Sequence, residues 1–146
     1  AVAGFLWWNF PPARIFMGDA GSGFLGVVLG ALSINSAVSS PNLFWSWIIL
    51  LGVFIVDATW TLVQRLLRGD KVYQAHRSHA YQHAAVHLDS HKKTTGIVLA
   101  INVVWLLPIA IWVGMGGVQI VGLLLAYIPL CVLMLKLRAG MPHGVR

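Results

Sequence analysis

Apolar residues run almost without interruption through four stretches, residues 23–40, 43–63, 95–113 and 118–135, and polar residues gather between them. Each run is close to the ~20 residues that a helix needs to cross a hydrocarbon core about 30 Å thick. The pattern predicts an all-α fold, a polytopic transmembrane helix bundle with four complete spans. Residues 1–8 are apolar but too short to span, and they carry neither an initiator methionine nor a basic leader. They read as the end of a truncated fifth helix, which makes residues 1–146 the C-terminal part of one integral-membrane domain.

Two connections are minimal. Ser39-Ser40-Pro41-Asn42 and Gly114-Met115-Gly116-Gly117 are turn formers and leave no room for an external domain. Two others are polar, at residues 9–22 and 64–94. The longer one turns at Gly69-Asp70 and can form a helix from about Tyr73 to Ser90. Within the spans, Pro108 and Pro129 predict kinks or local loosening, because each removes a backbone donor. Gly26 and Gly30 make a G-x-x-x-G pair that would let a neighbouring helix approach closely.

Composition agrees with this pattern. Hydrophobic residues make up 58% and charged residues 10%, against about 25% charged in a soluble domain, and mean hydropathy is +0.79. The net charge of +6 could suggest nucleic acid, but all 10 Lys and Arg fall at Arg14, between Arg65 and Lys93, or from Lys136 onward. The two short connections carry none. That distribution follows the positive-inside rule, placing the polar segments in the cytoplasm and no nucleic acid among the partners. Anionic head groups and phosphorylated ligands suit such a face. The single cysteine, Cys131, lies in an apolar run and forms no disulfide framework.

The first polar segment runs into a long uncharged helix through Asn9-Phe10-Pro11-Pro12-Ala13-Arg14-Ile15-Phe16-Met17-Gly18-Asp19-Ala20-Gly21-Ser22-Gly23-Phe24-Leu25-Gly26. The string from Gly21 to Gly26 spells G-x-G-x-x-G, yet a dinucleotide fingerprint needs a preceding strand and a βαβ unit, and a membrane helix follows instead. The physics of a glycine-rich helix start persists. Gly21 and Gly23 would let backbone N–H groups approach an anion at the positive end of the helix over residues 23–40. Asp19 would suit Mg²⁺ bridging a diphosphate, since this ion takes one or two carboxylates together with phosphate oxygens and waters. Equally, Asp19 could only cap the helix.

Asp57 stands eight residues before Arg65, roughly 12 Å inside the end of the second span at the helical rise. An intramembrane carboxylate is costly and marks a functional position by default. Thr61 and Arg65 follow on the same helical face, so both structural support and direct ligand contact are open to Asp57. The long polar segment holds His76, His79, His83, His87 and His91, with Arg77 among them. On one helix, His79, His83, His87 and His91 would form a stripe. No H-E-x-x-H pattern accompanies it. Arg77, His76 and His79 are the better phosphate-facing donors, because guanidinium and imidazole match phosphate oxygens, and His87 and His91 read as a solvated face.

These residues resemble the polyprenyl-phosphate N-acetylhexosamine-1-phosphate transferases, also called bacterial glycosyltransferase family 4. The likeness rests on Asn9, on Pro12 to Ser22, on Val56-Asp57-Ala58-Thr59 with Arg65, and on Arg77-Ser78-His79, and it is nearest to the branch that starts O-antigen or related surface glycans. The resemblance implies an enzyme of the bacterial inner membrane, active face cytoplasmic. Polyprenyl phosphate would attack the β-phosphate of a UDP-sugar such as UDP-N-acetylhexosamine, with Mg²⁺ required. Asp19 matches the metal-binding aspartate, Phe16 the ring beside the uracil, His79 the first histidine of the family's histidine motif, and Arg77 the arginine before it. Asn9, Gly21, Ser22 and His76 complete the implied substrate contacts, and two copies could pair as a homodimer.

Ala80-Tyr81-Gln82 replaces the usual continuation of the histidine motif, which leaves His83 without an assigned role. The family's Asp-Asp pair and Asn-rich acidic motif have no counterpart in these residues, so the segment alone is expected to be inactive. The competing reading is a membrane metal transporter or sensor with a histidine-rich cytoplasmic loop. Its spans should carry polar residues near the midplane, where only Asn35, Asp57 and Asn102 are candidates.

Overall fold

The computed structural model describes residues 2–10, 13–70, 79–137 and 139–141. They form helices with no strand among the described residues: α1 (Val2–Asn9), α2 (Gly18–Ser39), α3 (Pro41–Leu50), α4 (Gly52–Leu67), α5 (Ala80–His87), α6 (His91–Ala100), a π-helical segment (Ile101–Leu106), α7 (Leu107–Gly114) and α8 (Gln119–Lys136). Helix α2, the continuous run His91–Gly114 and α8 are each long and apolar enough to cross a membrane, and the pair α3 and α4 adds a fourth span if counted as one bent helix. The chain is a multi-pass membrane protein.

All four apolar runs are helical, with shifted ends. Helix α2 begins at Gly18, five residues before the expected 23, so Asp19 sits in its first turn and Gly21 and Ser22 lie inside it. Gly18 adopts φ +66°, a left-handed conformation that costs glycine little and lets the loop turn into the helix. The amides of Gly21 and Gly23 therefore belong to the helical ladder, and the open donors at this end are those of residues 17–20. The expectation that Gly21 and Gly23 offer their N–H groups to an anion is corrected accordingly.

The second span is not one straight helix. It breaks at Leu51, and α3 and α4 diverge by 65°. Gly52 sits at the break without a side chain, with Leu130, Tyr127 and Leu106 closing on the space a Cβ would occupy. Beyond it, α4 buries Val56, Asp57, Thr61 and Arg65, and α8 buries Gly122, Ala126, Leu130 and Met134. Both follow the four-residue spacing of one helical face, and α4 packs on α8, with Val56, Ala126, Leu130 and Met134 in one core cluster. In the other half of the bundle, α3 packs on α2, α7 and α8, around Ile49, Leu106, Ala110 and Val113.

Pro108 has the expected local effect. Because proline cannot donate, the turn ahead of it opens to a π-helix at Ile101–Leu106, and the Leu107 N–H bonds five residues back to the Asn102 carbonyl. Pro129 lies inside an unbroken α8. The carbonyl it deprives of a donor, that of Leu125, accepts instead from the Trp105 indole N–H at 3.3 Å. Gly26 and Gly30 have nothing within 4 Å of an added Cβ, so this pair packs against no helix among the described residues.

The long polar segment is also divided. The described helix spans Ala80–His87 rather than the whole of 73–90, and residues 71–78 lie outside the described residues. A turn at Leu88 and Asp89 ends it, with Asp89 at φ +46°. Ser90 then caps α6, its Oγ accepting the Lys93 N–H at 3.3 Å. The third span thus starts at His91 instead of 95, and the stripe of four histidines is broken: His83 is buried, His87 is exposed, and His91 belongs to the next helix.

Candidate active site

Asp57 organises the polar end of the bundle. It is buried in α4, yet each carboxylate oxygen has a partner. Oδ1 accepts the Ala80 backbone N–H at 2.8 Å and lies 3.4 Å from the Thr61 hydroxyl. Oδ2 lies 3.5 Å from His79 Nδ1. Ala80 is the first residue of α5 and His79 its N-cap, in extended conformation, so the carboxylate also faces the positive end of that helix. The support expected from Thr61 is present but long; the stronger tie comes from a residue 23 positions away.

His79 is held from several sides. Its backbone N–H donates to Gln82 Oε1 at 3.2 Å, and its ring stacks on Tyr81 with centroids 5.9 Å apart and planes inclined by 22°. Helix α5 is anchored further by His83, whose Nε2 lies 3.1 Å from the Met141 carbonyl. This gives His83 a structural partner in the C-terminal tail. Gly140 in that tail is buried at φ +86° against Gln64 and Thr61 of α4, and Arg68 at the end of α4 pairs with Asp70 at 2.9 Å.

Between the broken span and α6 lies a cleft of about 610 Å³. Leu50, Leu51, Val53 and Phe54 line it from α3 and α4, Val98 and Asn102 from the other wall, and Asp57, His79 and Tyr81 at its polar end. A smaller void of about 260 Å³ lies under α5, walled by Ala84, Leu88, Ile97, Ile101, Leu133 and Leu137, with Asp57 at the boundary between the two. The 65° break turns α4 away from the direction of α3. A straight second span would not splay in this way.

Asp19 is exposed, with no hydrogen-bond or ion-pair partner for its carboxylate among the described residues. The helix is not capped by a side chain, so Asp19 is not a cap; its charge complements the helix dipole from the first turn. Ser22 Oγ donates to the Asp19 carbonyl at 3.1 Å. Asn9 closes the loop ahead of α2, its Nδ2 donating to the Ile15 carbonyl at 2.8 Å, while the Arg14 guanidinium lies 5.7 Å from the Trp8 ring centroid. Phe16 is 83% exposed, so its ring is open to a stacking partner. Arg77 and His76 lie outside the described residues.

The described residues therefore form two groups. Asp57, His79 and Tyr81 meet at the cleft, and Asn9, Phe16, Asp19 and Ser22 lie along the loop that leads from α1 into α2 and in the first turns of α2, which packs on α3. Among the described residues no three His, Cys, Asp or Glu side chains come together as a metal site. A single exposed carboxylate still fits Mg²⁺ as one ligand, because that ion completes its shell with phosphate oxygens and water.

The sequence profile of glycosyl transferase family 4 matches residues 1–37. The chain is 34% identical over 123 residues to a probable undecaprenyl-phosphate N-acetylglucosaminyl 1-phosphate transferase of Bacillus subtilis, covering 79% of this chain and 34% of that protein. It is 41% identical over 66 residues to a phospho-N-acetylmuramoyl-pentapeptide-transferase of Mycolicibacterium vanbaalenii, covering 45% of this chain and 17% of that protein. A phospho-N-acetylmuramoyl-pentapeptide-transferase of Saccharopolyspora erythraea is 47% identical over 64 residues, covering 44% of this chain and 16% of that protein. No solved structure is a significant match. The chain belongs to glycosyl transferase family 4, the polyprenyl-phosphate hexosamine-1-phosphate transferases, and it spans about a third or less of the length of these relatives.

Proposed function

We propose that this chain is part of an enzyme that transfers an N-acetylhexosamine-1-phosphate from a UDP-sugar to polyprenyl phosphate. A phosphate oxygen of the lipid bonds to the β-phosphorus, the bond from that phosphorus to the bridging oxygen breaks, and UMP leaves with the electron pair. The product is a polyprenyl-diphosphate sugar. The observation that carries this reading is the cleft between the broken span and α6, apolar along Leu50, Leu51, Val53 and Phe54 and polar at Asp57 and His79. That is the chemistry of a prenyl chain ending in a phosphate.

Phosphoryl transfer asks a protein for positioning and charge compensation more than for covalent help. In this reading Phe16 stacks on the uracil, Asn9 fixes the loop that carries it, and the open N–H groups at the start of α2 face the diphosphate. Asp19 would hold Mg²⁺, which when bound offsets diphosphate charge. Arg77 and His76 add donors from the segment that precedes His79.

The longer match to the N-acetylglucosaminyl 1-phosphate transferase supports an N-acetylhexosamine donor, and the likeness of residues 9–22 to the glycan-initiating branch suggests a role in starting a surface glycan such as O-antigen. The basic ends of the helices support a cytoplasmic active face in a bacterial inner membrane. The test is UMP release by the full-length protein from UDP-N-acetylglucosamine and undecaprenyl phosphate in detergent with Mg²⁺. Lipid-dependent release is the expected result. Release that is equal without the lipid, or none with any UDP-N-acetylhexosamine, overturns the reading.

A further inference from the structure

We infer that Asp57 is a positioning residue for His79, which it holds in the Nδ1–H tautomer so that Nε2 is the nitrogen meeting the lipid phosphate. This rests on the transfer reading above and adds a residue to it. Three observations combine. The carboxylate is buried, with only 12% of its side chain exposed, so it is not a solvated surface charge. Its two oxygens are divided between two jobs, Oδ1 on the Ala80 N–H at 2.8 Å and Oδ2 beside His79 Nδ1 at 3.5 Å. Both residues line the polar end of the same cleft.

The division fixes the chemistry. An ionised carboxylate accepts and never donates, so the ring nitrogen facing it carries the hydrogen and the other nitrogen holds the lone pair. The Ala80 N–H needs an acceptor at the start of α5, which keeps Oδ1 in place and leaves Oδ2 for the ring. At 3.5 Å the second contact is long, as such contacts are before a substrate closes the site. With Nδ1–H held, Nε2 can take the proton of a monohydrogen phosphate, and the resulting imidazolium is a donor to the same phosphate. The Asp57 carboxylate stabilises that cation, and the deprotonated phosphate oxygen becomes the attacking group. The same arrangement of carboxylate and imidazole orients the base in Ser-His-Asp triads.

Asn is the informative replacement. In Asp57→Asn the Ala80 N–H still requires an oxygen, so the amide nitrogen is forced toward His79 and donates to Nδ1. The ring then moves to the Nε2–H tautomer, in which its lone pair faces the wrong way. The experiment uses the full-length protein in detergent, with ¹⁵N-labelled histidine and the His79 signals assigned by their loss in His79→Gln. Wild type should show Nδ1–H and Asp57→Asn should show Nε2–H. In turnover assays Asp57→Asn should lower kcat by about tenfold or more, with the KM for UDP-sugar little changed, because an exchange to the wrong tautomer costs rate. The double variant should be no slower than His79→Gln alone.

An Nε2–H ring in wild type overturns the pairing itself, and this measurement needs no variant that might fail to accumulate. Losses that multiply in the double variant show that Asp57 acts on substrate directly and overturn the positioning role. Wild-type turnover in His79→Gln removes His79 from the transfer, and the proposed role goes with it, whatever the tautomer. Failure of UMP release by the wild-type protein, by contrast, counts against the transfer reading, while the tautomer of His79 still decides the pairing with Asp57 independently.

Discussion

Tyr127 donates its hydroxyl hydrogen to the Ile48 carbonyl at 2.9 Å, joining α8 to the last turn of α3 just ahead of the break at Leu51. The final carbonyls of a helix lack partners along its axis, and in an apolar surrounding such a group needs one from elsewhere. The bond therefore helps the second span to bend where it does, and the bend sets the mouth of the cleft. Tyr127→Phe should reduce stability by between about 0.5 and 1.5 kcal/mol. Reversible unfolding in mixed micelles would show this, and an unchanged free energy would leave the break to packing around Gly52 alone.

Close helix contact is carried by Gly122 and not by the G-x-x-x-G pair. A Cβ at Gly122 would run into Val113 Cγ2 and stand 3.3 Å from Ile49 Cδ1, whereas Gly26 has open space around it. Gly122→Ala should cost about 1–3 kcal/mol through overpacking. Gly26→Ala should be neutral or slightly stabilising, as alanine is the better helix former by up to about 1 kcal/mol. Thermal unfolding of the two variants in detergent compares them directly. Equal losses would mean that Gly26 packs against a part of the protein outside these residues.

Hydropathy was enough to locate the apolar helices, three of them long enough to span and a bent pair that adds a fourth if counted as one, because a bilayer demands apolar length whatever the tertiary contacts. It misplaced the start of α2, since Gly18-Asp19-Ala20-Gly21-Ser22 has the composition of a loop; the left-handed Gly18 and the dipole-complementing Asp19 make the same string a helix start. The break at Leu51 left no trace in hydropathy, which registers composition and not direction. It depends on Leu106, Tyr127 and Leu130 closing around Gly52, contacts between residues distant in the chain. For Asp57 the helical spacing pointed correctly to a shared face with Thr61 and Arg65. Its tie to His79 and Ala80 crosses a segment whose path no local pattern specifies. Spacing alone left Asp19 open between a cap and a metal ligand; the uncapped start of α2 removes the first, and the second rests on the likeness of residues 9–22 to a known motif.

The C-terminal tail is built to clasp α4 and α5 together. Gly140 holds φ +86°, and a Cβ there would stand 2.6 Å from Gln64 Cβ; the neighbouring Met141 carbonyl meets His83. Gly140→Ala adds a clash to a left-handed conformation that by itself costs a non-glycine residue about 1–2 kcal/mol. The tail should release, and the region near Ala139 should become open to limited proteolysis at protease levels that spare the parent protein. A cleavage pattern identical to that of the parent would show that the clasp accommodates the added methyl.

Asp19 and Phe16 make separable contributions if the loop before α2 holds the diphosphate and the base. Asp19 is exposed and unpartnered among the described residues, so Asp19→Asn removes a charge without breaking a structural bond. Metal binding at a transferring phosphoryl group is worth several kcal/mol, so turnover should fall by about 100-fold or more, while stability falls only by the lost helix-dipole contact, about 0.3–1 kcal/mol. Phe16 offers a ring that is 83% exposed, and Phe16→Leu removes stacking of the kind worth about 1–3 kcal/mol per base. Its effect should fall on the KM for the UDP-sugar, about tenfold, with kcat largely retained, because base stacking is the same in ground and transition states. Steady-state kinetics over a Mg²⁺ series separates the two. Near-normal Mg²⁺-dependent activity in Asp19→Asn would move the metal to another carboxylate, and a kcat defect in Phe16→Leu would place that ring at the reacting phosphates instead of the base.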